Sequence, residues 1–260
     1  MEPEETMSHL RALARTMGIV DIGAADADAW NDGVIPEGKR PKDVMTSCRS
    51  VVVMGIPLQK TVLDTAPSIY YSHLYSVVNS SLDIAAERIA LELNILGHDA
   101  VYVPRDGYKG IKGLRADCSA FFSHKHAAVY AGMGSFGTNG LVLTERHGPR
   151  MRFVSVLTSA ELPCGKPTEK SLCIRCSLCV RSCPSGAISP DGSVDSTRCL
   201  DHNEELAKRG VSPCGRCVAV CPIGSIASAP PSDRGRTTIS GYVLRRNLNN
   251  RHAYRTTVQR

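Results

Sequence analysis

Apolar positions recur every three or four residues over two stretches of the chain. Met7, Leu10, Leu13, Ala14 and Met17 share one face and predict an amphipathic helix over residues 7–17. A longer helix is predicted over residues 69–96, where Leu74, Val78, Leu82, Ala86, Ile89, Leu93 and Leu96 keep that spacing. Gly97 stands where its C-terminal cap belongs. Residues 19–23 form a short apolar run. Residues 51–56 form a β-branched one, bounded by Ser50 and Pro57, and both read as strands. Residues 100–103, 141–143 and 153–157 also read as strands, and residues 119–131 as a helix. The order mixes helices and strands without a regular βαβ repeat, so an α+β fold is expected rather than a doubly wound sheet. Pro163, Gly165 and Pro167 then interrupt the pattern, and the expected division is 1–162, 163–230 and a tail, 231–260.

The middle part is dominated by cysteine. One run reads Cys173-x2-Cys176-x2-Cys179-x3-Cys183-Pro184 and a second reads Cys214-x2-Cys217-x3-Cys221-Pro222. They are copies of one unit at a constant offset of 38 residues, Cys176 matching Cys214 and Cys183 matching Cys221. Where the first copy has Cys173 the second has Val211, and Cys199 is the available substitute. This is the thiolate pattern of two four-iron clusters, in which the cysteine before proline ligates the cluster of the other repeat. Cys173, Cys176, Cys179 and Cys221 are therefore assigned to one 4Fe-4S cluster, and Cys183, Cys199, Cys214 and Cys217 to the other. A structural zinc site asks instead for two cysteine pairs separated by a knuckle of a dozen or more residues. A disulfide scaffold suits a far shorter, secreted chain.

Composition narrows the setting. A chain of 260 residues can bury a sizeable core without staples, so eleven cysteines need a chemical reason. The acidic start, Met1-Glu2-Pro3-Glu4-Glu5, does not read as a signal peptide, and no apolar run approaches a membrane span. A cytoplasmic protein with no membrane partner is expected. The net charge of +6 is uneven, with seven arginines and no acid in residues 234–260. Such a stretch either attracts polyanions such as RNA or is a solvated tail.

Ala131-Gly132-Met133-Gly134-Ser135-Phe136-Gly137 contains a formal Gly-x-Gly-x-x-Gly. A dinucleotide fingerprint follows a strand and opens a helix, whereas this loop follows a predicted helix and precedes a strand. The glycines mark either a close backbone approach or a tight turn.

This loop with Asn139, the Glu145-Arg146-His147-Gly148 segment and the split second cysteine run resemble the epoxyqueuosine reductase family, a relative of the reductive dehalogenases. That family has Ala-Gly-Leu-Gly-Trp-Ile-Gly-Lys-Asn at the loop; its Trp and Lys are Ser135 and Thr138 here. The resemblance implies a nitroreductase-like N-terminal domain and a bacterial ferredoxin-like 2[4Fe-4S] module. It implies a cobalamin held near Gly132, Gly134, Gly137 and Asn139, and an oxidoreductase of queuosine biosynthesis or a related reduction. It further implies reduced ferredoxin or flavodoxin as electron donor, tRNA as a partner of the basic tail, and Asp117 as proton donor. Asp117 is otherwise a cap for the helix expected near residue 119. The alternatives are a non-catalytic electron carrier and a reductase using FMN on the same scaffold. Cys48 reads as buried packing and Cys164 as spare. Cys118 is a reactive neighbour of Asp117, and His124 and His126 lie on a polar helix face or touch a cofactor.

If Cys199 completes the second cluster, Cys199→Ala should retain about four of about eight irons. Iron and sulfide assays on anaerobically purified protein measure this, and unchanged iron content would require a different fourth ligand.

Overall fold

The β-branched run becomes the inner strand of an antiparallel sheet in the computed structural model, which describes residues 1–104, 115 and 120–224. Four strands build the sheet: β1 (Asp21–Asp26), β2 (Ser50–Pro57), β3 (Ala100–Val103) and β6 (Met151–Thr158), in the order β1-β2-β6-β3. Every pairing is antiparallel, with Ala24 opposite Val52, Val53 opposite Ser155 and Tyr102 opposite Val156. A small ribbon, β4 (Ser135–Phe136) with β5 (Val142–Leu143), stands apart from it.

Helices cover both faces. The first is α1 (Pro3–Thr16), with Pro3 in its first turn and Glu4 and Glu5 beside its positive end. Next come the short α2 (Pro41–Val44) and α3 (Lys60–Leu63), then α4 (Ile69–Ile95). The Ser68 hydroxyl caps α4 by accepting from the Tyr71 amide, and Gly97 takes positive φ just past its end. On one face, Leu10 and Ala14 of α1 and Leu82, Ile89 and Leu93 of α4 pack on Val52, Met54, Val154 and Val156. On the other, α5 (His124–Tyr130) and the 3-10 turn Ala27–Asp32 pack Ala127, Ala128 and Trp30 on Val51, Val53 and Leu157. Burial on both sides explains why β2 is apolar throughout instead of alternating.

The predicted strands and both long helices are present, with shifted ends. The helix expected over residues 119–131 is α5 alone, capped by Ser123, whose hydroxyl accepts from the His126 amide. A cap near residue 119 is therefore not what starts it.

Three helices complete the described chain: α6 (Leu178–Arg181), α7 (Ser196–Lys208) and α8 (Arg216–Ala219). Val218 of α8 belongs to the same core cluster as α4, with Cys217 and Ala219 packed against it. Residues Met1–Ile226 accordingly make one compact unit. Among the described residues no helix is long and apolar enough to cross a membrane.

Leu82 is fully buried between α4 and the sheet, whereas Ile84 on the outer face is 62% exposed. Leu82→Ala should cost roughly 2–5 kcal/mol in denaturant unfolding. Ile84→Ala should stay within about 0.5 kcal/mol of wild type.

Candidate functional site

The sequence repeat is reproduced in backbone conformation. Ser177 (φ 57°) and Gly215 (φ 68°) are equivalent left-handed residues, each starting a four-residue helix, α6 and α8. Gly186 (φ 60°) and Gly224 (φ 63°) close the two units in the same way. Ser177 and Arg175 hold positive φ without being glycine, a conformation that costs a side-chain-bearing residue about 1–2 kcal/mol. Backbone bent in this manner turns successive amides inward, which suits an anionic sulfur cluster.

The chain crosses the two sets over. Cys173, Cys176 and Cys179 line one cavity together with Cys221 from the second run. Cys183 instead lies within electrostatic reach of Cys199, Cys214 and Cys217. Among the described residues, no three His, Cys, Asp or Glu side chains are gathered so as to hold one metal ion. A single zinc, bonded at about 2.3 Å to each sulfur, draws its ligands closer than a four-iron cube does. Two sets of four thiolates fit 4Fe-4S clusters.

Cys199 sits on α7, and its neighbour one turn on, Asn203, ties the second set together. The Asn203 Nδ2 donates to the Cys199 carbonyl at 2.8 Å and reaches Sγ at 3.5 Å, while its Oδ1 accepts from the Cys214 amide at 2.8 Å. The i,i+4 spacing from an unpaired cysteine was the only sequence signal for this residue. Burial would raise the Cys173 and Cys183 thiols. Hydrogen bonds from the Thr138 side chain and the Thr138 and Arg175 amides lower Cys173 below its ordinary value. The Ser185 hydroxyl and the amides of Ala187, Ser185 and Ile188 do the same for Cys183. Cys217 lies deepest, and burial with four neighbouring thiols, Cys199, Cys214, Cys183 and Cys179, pushes it up to about 12. Bound iron would reverse that, since a metal-bound thiol is deprotonated outright.

The glycine loop separates two cavities. Gly132 and Gly134 line a cavity of about 570 Å³, together with β1 and parts of residues 144–147 and 163–172. Gly137 and Asn139, a few residues on, line the Cys173–Cys221 cavity instead. What the glycines approach is the protein's own backbone. A methyl at Gly134 would stand 2.2 Å from the Leu143 carbonyl oxygen, and one at Gly132 2.7 Å from that of Lys166. Asn139 is buried and donates to the Cys217 carbonyl at 3.3 Å. Ser135 and Thr138, which stand where the family segment has Trp and Lys, both contact the start of the first cysteine run. The Ser135 hydroxyl accepts from the Leu172 amide at 3.0 Å, and Thr138 Oγ1 lies 3.4 Å from Cys173 Sγ. The cavity carries Arg11, Arg146 and Lys170 against Asp21 and Glu145, and His147, whose buried Nε2 has no hydrogen-bond partner among the described residues.

Asp117 and Cys118 lie outside the described residues, as does the basic tail. Their neighbour Arg115 bonds Asp201 and Glu204 of α7 at 2.7 and 2.6 Å. Cys48 is buried packing. Cys164 is exposed and lies 3.8 Å from the Ser50 hydroxyl. Burial pushes His124 down to about 4, so it is a neutral imidazole within hydrogen-bond reach of Ser155 Oγ at 2.9 Å. It belongs to the packing of α5 on β6.

Fold and site together define a double-cluster iron–sulfur protein built on a mixed helix-and-sheet domain. Residues 172–225 match the 4Fe-4S dicluster domain family. A tetrachloroethene reductive dehalogenase of Desulfitobacterium hafniense is 30% identical over 197 residues, covering 66% of this chain and 32% of the relative. An epoxyqueuosine reductase of Synechococcus sp. is 36% identical over 113 residues, 40% of this chain and 35% of the relative. A solved reductive dehalogenase, for which a mechanism of B12-dependent dehalogenation has been suggested, superposes with TM-score 0.65 at 20% identity. The match covers 85% of this chain and 32% of that one. The chain is similar to the epoxyqueuosine reductases and to the reductive dehalogenases, and spans about a third of the length of these curated relatives.

Gly186 and Gly224 hold the same place in the repeat but differ in surroundings. A Cβ at Gly186 meets nothing within 4 Å, whereas one at Gly224 would stand 1.8 Å from the Gly148 amide nitrogen. Gly186→Ala should therefore cost about 1–2 kcal/mol of strain and keep its iron. Gly224→Ala should lower Tm further and lose iron from the cluster that Cys221 completes, as read by iron assay and thermal unfolding.

Proposed function

We propose that the chain is an iron–sulfur oxidoreductase that passes electrons through its two clusters to a corrinoid, for reductive cleavage of a substrate bond. The observation that carries this reading is the placement of one short loop. Gly132 and Gly134 face the 570 Å³ cavity, while Gly137, Thr138 and Asn139 face the thiolates of Cys173 and Cys221. A group bound in that cavity lies next to the first cluster. The names of the sequence relatives, reductases in both cases, support the same chemistry.

The lining fits a large ligand rich in amide and phosphate groups. Arg11, Arg146 and Lys170 supply charge-assisted donors, Asp21 and Glu145 accept, and His147 Nε2 is an uncommitted ring nitrogen. When bound, a reduced corrinoid supplies a strongly reducing metal centre for two-electron chemistry. Residues 1–162, on a nitroreductase-like scaffold and joined by Lys170, then hold cofactor and substrate, and residues 163–230 deliver electrons. The second cluster, reached through exposed Cys199, takes electrons from a reduced ferredoxin or flavodoxin. Asp117 acts as proton donor, and the arginines of residues 234–260 contact a tRNA substrate.

The test is a cofactor inventory. Protein purified anaerobically from a corrinoid-supplied host should contain about eight irons and about one cobalt per chain, without flavin. About eight irons with neither cobalt nor flavin would overturn the enzyme reading in favour of an electron carrier. Stoichiometric flavin would move the chemistry to FMN.

A further inference from the structure

Arg150 is a buried cation whose guanidinium, among the described residues, hydrogen-bonds two carbonyl groups. It is 5% exposed, Nη1 donates to the Cys221 carbonyl at 2.9 Å and Nη2 to the Ile223 carbonyl at 2.7 Å. Among the described residues it makes no ion pair with a carboxylate, and the negative groups that act on it are Cys221 and, more weakly, Asp64. A buried charge without a counter-charge is costly, and a guanidinium does not escape that cost by losing its proton. Two carbonyl bonds offset part of it. The rest needs a negative group in the same low-dielectric region. The thiolate set of Cys173, Cys176, Cys179 and Cys221, loaded with its cluster, is that group.

Among the described residues the other set has no equivalent. Cys183, Cys199, Cys214 and Cys217 are bonded by the neutral groups Asn203, Asn139 and Ser185. The arginines beside them, Arg198 and Arg216, are exposed, where water and salt screen their charge.

We infer that Arg150 is a positioning residue that sets the reduction potential of the first cluster, holding it above that of the second. Reduction adds one electron, hence one negative charge, to a cluster. A fixed cation in a dry neighbourhood stabilises the reduced form over the oxidised one, while exposed cations hardly do. Electrons arriving at the second cluster therefore run downhill to the first, the one adjoining the glycine loop. The inference needs the two clusters only and stands whatever the 570 Å³ cavity holds.

The measurement is an anaerobic redox titration of both clusters followed by electron paramagnetic resonance. Cys199→Ala identifies which signal belongs to the second cluster. Arg150→Gln and Arg150→Met should lower the midpoint of the first cluster alone. A shift of about 59 mV corresponds to a tenfold change in a one-electron equilibrium. Arg150→Lys, which keeps the charge but not the two-pronged fork, should restore most of the wild-type midpoint. Unchanged midpoints in the neutral variants, equal shifts of both clusters, or a lysine variant that behaves like glutamine would each overturn the inference. If the neutral variants lose iron while Arg150→Lys keeps it, the charge requirement is upheld. Iron loss from all three variants would mean that only the paired carbonyl bonds matter, and would also overturn it.

Discussion

Backbone packs on backbone where Gly148 meets Ile223 and Gly224, and the placement of the clusters depends on this contact. No side-chain carbon fits on either glycine: a Cβ on Gly148 would stand 1.9 Å from the Ile223 carbonyl oxygen. The turn holding Gly148 runs directly into β6, an inner strand of the sheet, and Arg150 bonds across the joint to the carbonyls of Cys221 and Ile223. A cysteine ligand is thus fastened to the sheet rather than to a free loop. The second cysteine run has a further anchor at Gly215, which packs against Tyr71 of α4 so closely that a Cβ would stand 2.3 Å from its ring. Rigid supports of this kind hold redox groups at a fixed separation from whatever they reduce.

Electrostatics divides the two clusters as clearly as the backbone unites them. Amides of the bent cysteine loops point at sulfur in both repeats: Ser185 toward Cys183 and, 38 residues on, Ile223 toward Cys221. These donors are shared by symmetry and cannot by themselves distinguish one cluster from the other. The unshared groups can. Among the described residues, a buried guanidinium adjoins the first set and uncharged amides adjoin the second. The repeat supplies two equal frames, and the rest of the fold makes them unequal by what it presents to each.

Spacing made much of this legible beforehand. The x2-x2-x3-Cys-Pro rhythm and the 38-residue offset were enough to assign eight thiolates to two sets, because cluster ligation is governed by local chain geometry. The β-branched run at residues 51–56 and the three-four apolar rhythm of α4 were equally direct, since each element buries a face that its own period defines. Less was readable at element ends. The helix expected from residue 119 begins at His124, where Ser123 caps it, and no periodic signal marks that start. The glycine loop could be recognised as something other than a dinucleotide fingerprint from its order, helix then strand. What its glycines make room for could not, because Leu143 and Lys166 are partners chosen by folding.

The sequence by itself therefore determined the repeated cysteine unit and the helices and strands with strong periods, since these rest on contacts within a few residues or on an internal copy. Tertiary structure decided the rest. It brought Arg150 to Cys221, Asn139 to Cys217 and Ser135 to Leu172, and it gave one loop a cavity on one side and thiolates on the other. The physical reason is distance along the chain. Arg150 and Cys221 are 71 residues apart and Asn139 and Cys217 are 78 apart, and only packing of the cysteine runs onto the sheet and α4 brings such groups together.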